Sequence, residues 1–147
     1  MKQNRGFTII ELLVALALVT IVSSGIFMVF RQTPQQVTLN AALQLQADLR
    51  YAQRRAIIEG RRVAVEFDIA AQMYRIVIVN TSEEIRRVYL HNSIRISHNI
   101  RGYRIEYLPR GTVSGTGSST ISLTIGLHTE QLTITPATGR VAISSRS

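Results

Sequence analysis

The chain has 147 residues, no cysteine and a formal charge of +8, and 16 of its 17 basic side chains are arginine. At roughly 100–200 residues per domain, it holds one globular domain with an extension. An apolar share of 46% with 18% charged residues excludes a disordered or collagen-like chain, and the missing thiols exclude disulfides, thiolate zinc sites and a cysteine nucleophile.

The first element is an apolar block. Phe7 to Phe30 spans 24 residues with one charge, Glu11. As a helix it would be about 36 Å long, enough to cross a hydrocarbon core of about 30 Å. Lys2 and Arg5 precede it and Arg31 follows it. The positive-inside tendency sets the amino terminus in the cytoplasm and the remainder outside. A signal-anchor helix competes here with a secretory signal peptide cut near Ser24 or Gly25. The length of the run, and Glu11 within it, argue against the second. A carboxylate well inside a bilayer costs about 2.5–3.5 kcal/mol, so Glu11 calls for a partner or a hydrated interfacial position.

Pro34 interrupts the helical pattern, either kinking the helix or ending its first half. Beyond it, residues 35–59 read as an amphipathic stretch, with Val37, Ala41, Leu45, Leu49, Ala52 and Ala56 forming the apolar face. Gln44, Gln46, Asp48, Arg50, Gln53 and Arg54 supply the polar remainder. Gly60 is placed to cap this helix. Strand patterns follow at residues 62–67, 74–79, 85–90, 94–97, 103–108, 121–125, 132–135 and 141–143, with residues 69–72 as a hairpin connection and 110–120 as a mobile loop. The pattern predicts an α+β fold: a long amino-terminal helix, transmembrane in its first half and amphipathic in its second, packed on antiparallel sheet.

Residues 5 to 11 read Arg-Gly-Phe-Thr-Ile-Ile-Glu. This closely resembles the type IV prepilin leader. The resemblance implies a leader at residues 1–6, cleavage after Gly6 by a prepilin peptidase, and N-methylation of Phe7 as the new amino terminus. It also implies a transmembrane and assembly helix at 7–30 and a globular domain at 31–147. Glu11 would neutralise the Phe7 ammonium of an adjacent subunit. The carboxy-terminal third adds Ile105, Tyr107, Gly111, Ile121, Leu123, Leu132 and Ile134, then Gly139-Arg140-Val141. Its spacing is similar to that of H-type minor pseudopilins and their FimT-type relatives, the GspH/FimT family. The implied function is a minor pseudopilin or minor pilin of a type II secretion or type IV pilus-like filament, near the filament tip. Its partners would be other subunits, the assembly platform protein and the peptidase. It would be a single-pass protein of the cytoplasmic membrane before assembly, with its globular domain outside.

Signals for catalysis or cofactors are missing. His91, His98 and His128 are isolated, with no metal-ligand spacing. The glycine-rich stretch 111–119 lacks a Gly-Lys-Ser/Thr ending, and no Gly-x-Ser-x-Gly elbow occurs. Glu66, Asp68, Glu83 and Glu84 read as solvated charges. No enzyme activity, cofactor or metal is expected. The arginine clusters at 54–55, 61–62, 86–87 and 101 with 104 read either as a solvated basic surface or as phosphate-binding groups. Some FimT-type minor pilins act as DNA receptors, with which a Gly-Arg-x-Arg tail is associated. Here the tail reads Gly139-Arg140-Val141-Ala142, so the second arginine is missing and Arg146 lies further on. The alternative function is thus a DNA-binding minor pilin of an uptake pilus, with Arg101, Arg104, Arg140 and Arg146 as the candidate contacts.

Overall fold

The computed structural model describes residues 8–29, 33–115 and 117–146 and, within the first helix, side chains as far as Ile21. The chain divides into two compact units, Met1–Thr33 and Pro34–Ser147.

The first unit holds α1 (Ile9–Val29). Thr8 starts it: the Glu11 N–H lies 3.3 Å from the Thr8 hydroxyl and 3.1 Å from the Thr8 carbonyl. Thr8-Ile9-Ile10-Glu11 thus has the spacing of a capping box, with a carboxylate in the first turn where the helix end is partly positive. Side chains 9–21 are all exposed.

The second unit begins with α2 (Pro34–Glu59). Pro34 is its first residue, where a missing N–H costs nothing, so the proline starts a helix rather than kinking one. The helix stops at Gly60, whose φ of +62° few other residues adopt readily. The buried line runs Thr38, Ala42, Leu45, Asp48, Leu49, Ala52 and Ala56. It departs from the expected stripe in two ways. Val37 and Ala41 are only half-buried, and Asp48, expected among the solvated positions, is 2% exposed.

Among the described residues eight strands follow: β1 (Val63–Asp68), β2 (Met73–Ile78), β3 (Glu83–Tyr89), β4 (Arg95–His98), β5 (Arg104–Tyr107), β6 (Ser119–Ile125), β7 (His128–Thr135) and β8 (Arg140–Arg146). Each expected strand is present within a few residues of its predicted bounds. They form two antiparallel sheets, ordered β3-β2-β1-β5 and β4-β6-β7-β8. α2 packs on strands of both. Val63, Val65, Tyr74, Ile76, Ile105 and Tyr107 from the first sheet and Ile96, Ile121, Leu123, Leu132, Ile134 and Val141 from the second join Leu45 and Leu49 in one core. Burying each leucine contributes about 1.5–3 kcal/mol. A 3-10 turn at Arg101–Tyr103 links β4 to β5 and so passes the chain from the second sheet to the first.

Candidate assembly and nucleic-acid surfaces

Gly6 and Phe7, the expected processing residues, lie outside the described residues. Glu11 is described: it is exposed in the first turn of α1, and its backbone N–H takes part in the helix cap. The carboxylate therefore stands in the first turn, where it favours the helix start.

The four expected DNA contacts do not form one group. Arg101 and Arg104 flank the turn beyond β4, one edge of the second sheet, whereas Arg140 and Arg146 lie on β8, its opposite edge. Arg104 is also occupied. Its guanidinium is 2.6 Å from Glu106, which is largely buried, and 4.0 Å from Glu66. Arg101, Arg140 and Arg146 make no ion pair among the described residues.

Much of the remaining charge is used internally. Arg62 reaches Glu106 at 3.2 Å, Arg75 reaches Glu66 at 2.8 Å and Arg87 reaches Glu84 at 2.6 Å; Arg55 pairs with Glu59. Glu66 and Glu84, expected as solvated charges, are thus paired across β1 and β2 and within β3. Arg87 holds the Glu84 carboxyl below the ordinary glutamate range. Asp68 shapes the β1–β2 turn, where its Oδ1 accepts the Ala71 N–H at 2.9 Å.

Asp48 is the residue the helical pattern misplaced. Its Oδ2 accepts the Tyr74 hydroxyl at 2.7 Å and its Oδ1 accepts Arg86 at 2.8 Å. Burial, reinforced by the bond to Asp48, holds the Tyr74 phenol far above its ordinary value. A helical wheel carries the signal, because Asp48 falls three after Leu45 and four before Ala52 on the buried line. Gln46 and Gln53 carry no comparable signal. Gln46 donates to the Val141 carbonyl at 3.1 Å, and Gln53 donates to the Gly111 carbonyl at 2.7 Å and the Thr138 carbonyl at 2.9 Å. Together they tie α2 to the loop before β6 and to the β7–β8 hairpin. Gly139 is required by that approach. A Cβ there would sit 2.3 Å from the Gln53 amide nitrogen and 2.4 Å from the Gly111 carbonyl oxygen. The Gly-Arg turn is therefore a packing point that fixes where β8 begins.

Among the described residues, no three His, Asp or Glu side chains cluster in a way that could hold a metal, and no helix is long and apolar enough to cross a membrane. His98 is on an edge strand, and its ring packs between Phe67 and Tyr103 at centroid distances of 5.8 and 5.0 Å.

A model of the prokaryotic N-terminal methylation motif matches residues 1–27, and a model of the type II transport protein GspH matches residues 41–144. The fold is similar to that of the type IV minor pilin FimU of Pseudomonas aeruginosa, with a TM-score of 0.63 at 15% identity over 73% of this chain and 87% of that one. It is also similar to the minor pseudopilin EpsH from the type 2 secretion system of Vibrio cholerae, with a TM-score of 0.63 at 12% identity over 74% and 96%. A search of curated protein sequences finds no significant match.

Proposed function

The chain belongs to the type II transport protein GspH family and is a minor pseudopilin or minor pilin, and from that premise we propose its route into a filament. It is inserted as a prepilin with its amino terminus in the cytoplasm and its globular domain outside. A prepilin peptidase cuts after Gly6 and methylates Phe7. The subunit then joins other pilin-type subunits near the filament tip, on the assembly platform protein. It is a substrate of processing chemistry and carries out none of its own.

The observation that carries this reading is the amino-terminal motif joined to a GspH-type domain. The placement of Glu11 supports its proposed role. A carboxylate one turn inside α1, exposed and uncompensated by a described cation, can receive the ammonium that cleavage frees on Phe7 of a neighbour. Such a pair would set the axial register between apolar helices, as buried polar groups do in coiled coils. Gly6 leaves the scissile bond accessible.

Two measurements test the route. Co-expression with a prepilin peptidase is expected to give an intact mass that starts at Phe7 with one added methyl; cutting near Ser24 overturns the reading. Glu11→Gln separates assembly from helix capping, since glutamine also completes a capping box but carries no charge. The variant is expected to insert and be cut normally, yet to lose incorporation into filaments. Normal incorporation would leave Glu11 with the helix start alone.

The second reading, a DNA-binding pilin of an uptake pilus, draws support from Arg101, Arg140 and Arg146, which have no ion pair among the described residues. Their division between two sheet edges argues for the first reading. A soluble fragment of residues 34–147 is expected to bind duplex DNA only at low salt, because scattered cations act chiefly through counterion release. Micromolar binding at physiological salt that disappears in Arg140→Ala/Arg146→Ala would reverse the ranking.

A further inference from the structure

Among the described residues four sheet edges are available for pairing, and three are blunted. β3 carries Glu83, Glu84, Arg86 and Arg87 and faces a register irregularity at Ile76/Val77. β4 and β5 have four residues each, and Tyr107 of β5 is already bridged by Val113. Short edges, bulges and charges are the usual protections against strand addition. β8 has none of these along its middle. It has seven residues, is the outer strand of its sheet, and runs Val141 to Ser145 without a charge or a proline.

Its polar groups have a definite direction. The hairpin closes with Thr135 opposite Arg140, and the Val141 carbonyl is held by Gln46 of α2. That carbonyl accordingly points away from β7. In an antiparallel pair the N–H and C=O of one residue point the same way and alternate along the strand, so those of Ile143 and Ser145 also point out of the edge. The side chains alternate too. Val141 and Ile143 face the core, while Arg140, Ala142, Ser144 and Arg146 are exposed on the other face. Arg140 and Arg146 therefore stand on one face about 20 Å apart, bracketing the open stretch.

We propose that the outer edge of β8 is a strand-addition site for an extended segment of a different polypeptide that carries carboxylates opposite Arg140 and Arg146. The two arginines select the occupant. In-register pairing with a second copy of β8 sets arginine against arginine, whether the strands run parallel or antiparallel, and like charges directly opposite are destabilising. A partner strand with acidic residues six positions apart on one face gains both ion pairs, while its backbone takes the groups of Ile143 and Ser145. Gln53 and Gly139 hold the start of this edge in place from α2. Identifying the partner as a neighbouring filament subunit rests on the function proposed above; the edge and its charge preference do not.

The test uses the full chain in detergent micelles, labelled with nitrogen-15, and two capped eleven-residue peptides of alternating threonine and valine. One has glutamates six positions apart and the other has lysines at those positions. The glutamate peptide is expected to slow amide exchange at Ile143 and Ser145 and to bind at least about fivefold more tightly than the lysine peptide, given two cross-strand pairs of reversed sign. Arg140→Glu/Arg146→Glu is expected to invert that preference, and Ser145→Pro to abolish binding by removing an outward N–H. Should the proline variant fail to fold, the charge inversion decides. Equal binding of both peptides, protection at β3 instead of β8, or protection of β8 by a duplex oligonucleotide but by neither peptide would overturn the proposal. Loss of peptide binding with normal cleavage after Gly6 refutes the edge alone; failed cleavage with the expected peptide preference refutes the filament reading alone.

Discussion

α2 is attached to the two sheets by different chemistry. To the first sheet it offers a carboxylate, Asp48, which takes the Tyr74 hydroxyl of β2 and the Arg86 guanidinium of β3. To the second sheet, its hairpin and the loop before β6 it offers two neutral amides, Gln46 and Gln53, which donate to backbone carbonyls. The difference extends outward. The first sheet pairs its charges among Arg62, Glu66, Arg75, Glu84, Arg87, Arg104 and Glu106. The second sheet is built largely from serine, threonine and aliphatic residues, and leaves Arg140 and Arg146 without ion pairs among the described residues. A basic composition therefore does not describe a uniformly basic surface. The arginines of the first sheet are committed to holding it, and those on the edge of the second remain available for recognition.

The contrast breaks most sharply at Asp48. Asp48→Ala strands the Tyr74 hydroxyl in the core and leaves Arg86 without its acceptor. The expected loss is about 3 kcal/mol, since removing one partner of a buried pair exposes the full desolvation penalty of the other. Urea unfolding of residues 34–147 measures it. Glu84→Ala removes an ion pair on the solvent side of the same sheet and is expected to leave the midpoint unchanged, because such pairs contribute little. Similar losses in both variants would mean that burial does not separate the two.

The amide attachment breaks at Gly139. Gly139 and Gly60 share the same backbone conformation, φ +64° and +62°. Around Gly60 an added Cβ meets nothing within 4 Å, whereas at Gly139 it meets Gln53 and the Gly111 carbonyl. Gly60→Ala is expected to cost about 1 kcal/mol for the backbone alone, and Gly139→Ala about 2–3 kcal/mol, because the Gln53 bonds are displaced as well. Gln53→Ala should then make Gly139→Ala less costly, a coupling that a double-mutant cycle reads directly. Additive losses would remove Gln53 as the reason for this glycine.

Tyr107 sharpens the comparison within the first sheet. It is as buried as Tyr74, yet its hydroxyl has no hydrogen-bond partner among the described residues, and burial raises its phenol well above the ordinary value. Tyr107→Phe is expected to leave stability unchanged or raise it by up to about 1 kcal/mol, while Tyr74→Phe lowers it. A loss at Tyr107 would point to a partner for its hydroxyl.

These residues also mark where sequence reading stops. Alternating and β-branched runs place the eight strands of the described residues, and the prepilin-like motif with the downstream apolar spacing leads to the family. Those signals are local, so each segment carries its own. The division into two sheets is not legible, because pairing joins β1 to β5 and β4 to β6 across long stretches of chain. Asp48 is legible by helical phase, but its charge counts against a buried position. Gln46 and Gln53 are not legible at all: their acceptors are backbone carbonyls 58 to 95 residues away, and a carbonyl has no sequence signature. Nearness in the chain groups Arg101 with Arg104 and Arg140 with Arg146, and the sheet order separates the two pairs.

The smallest expected effect concerns the seam between the sheets. His98 of β4 packs against Phe67 of β1 at 5.8 Å and meets Tyr103 edge-on at 5.0 Å. Its Nδ1 accepts the Ile100 N–H at 3.3 Å, and its Nε2 is buried without a partner among the described residues. Burial lowers the imidazole below its ordinary value of 6.5, and the bond accepted at Nδ1 favours the neutral ring. The folded protein therefore binds this proton less readily than the unfolded chain. The contribution of His98 is complete above about pH 6.5 and is lost as pH falls through that value towards the lowered one. Glu84, held low by Arg87, loses its own contribution only further down, from the carboxylate range below 4.5, and does not overlap this window. Thermal unfolding of residues 34–147 is expected to show a small fall in midpoint between pH 7 and 5.5. His98→Leu should flatten that fall and leave the lower, carboxylate-linked fall intact. Parallel midpoints for the two proteins across pH 7 to 5.5 would show that the seam tolerates a charged imidazole, and that the ring contacts rather than its protonation state join the two sheets.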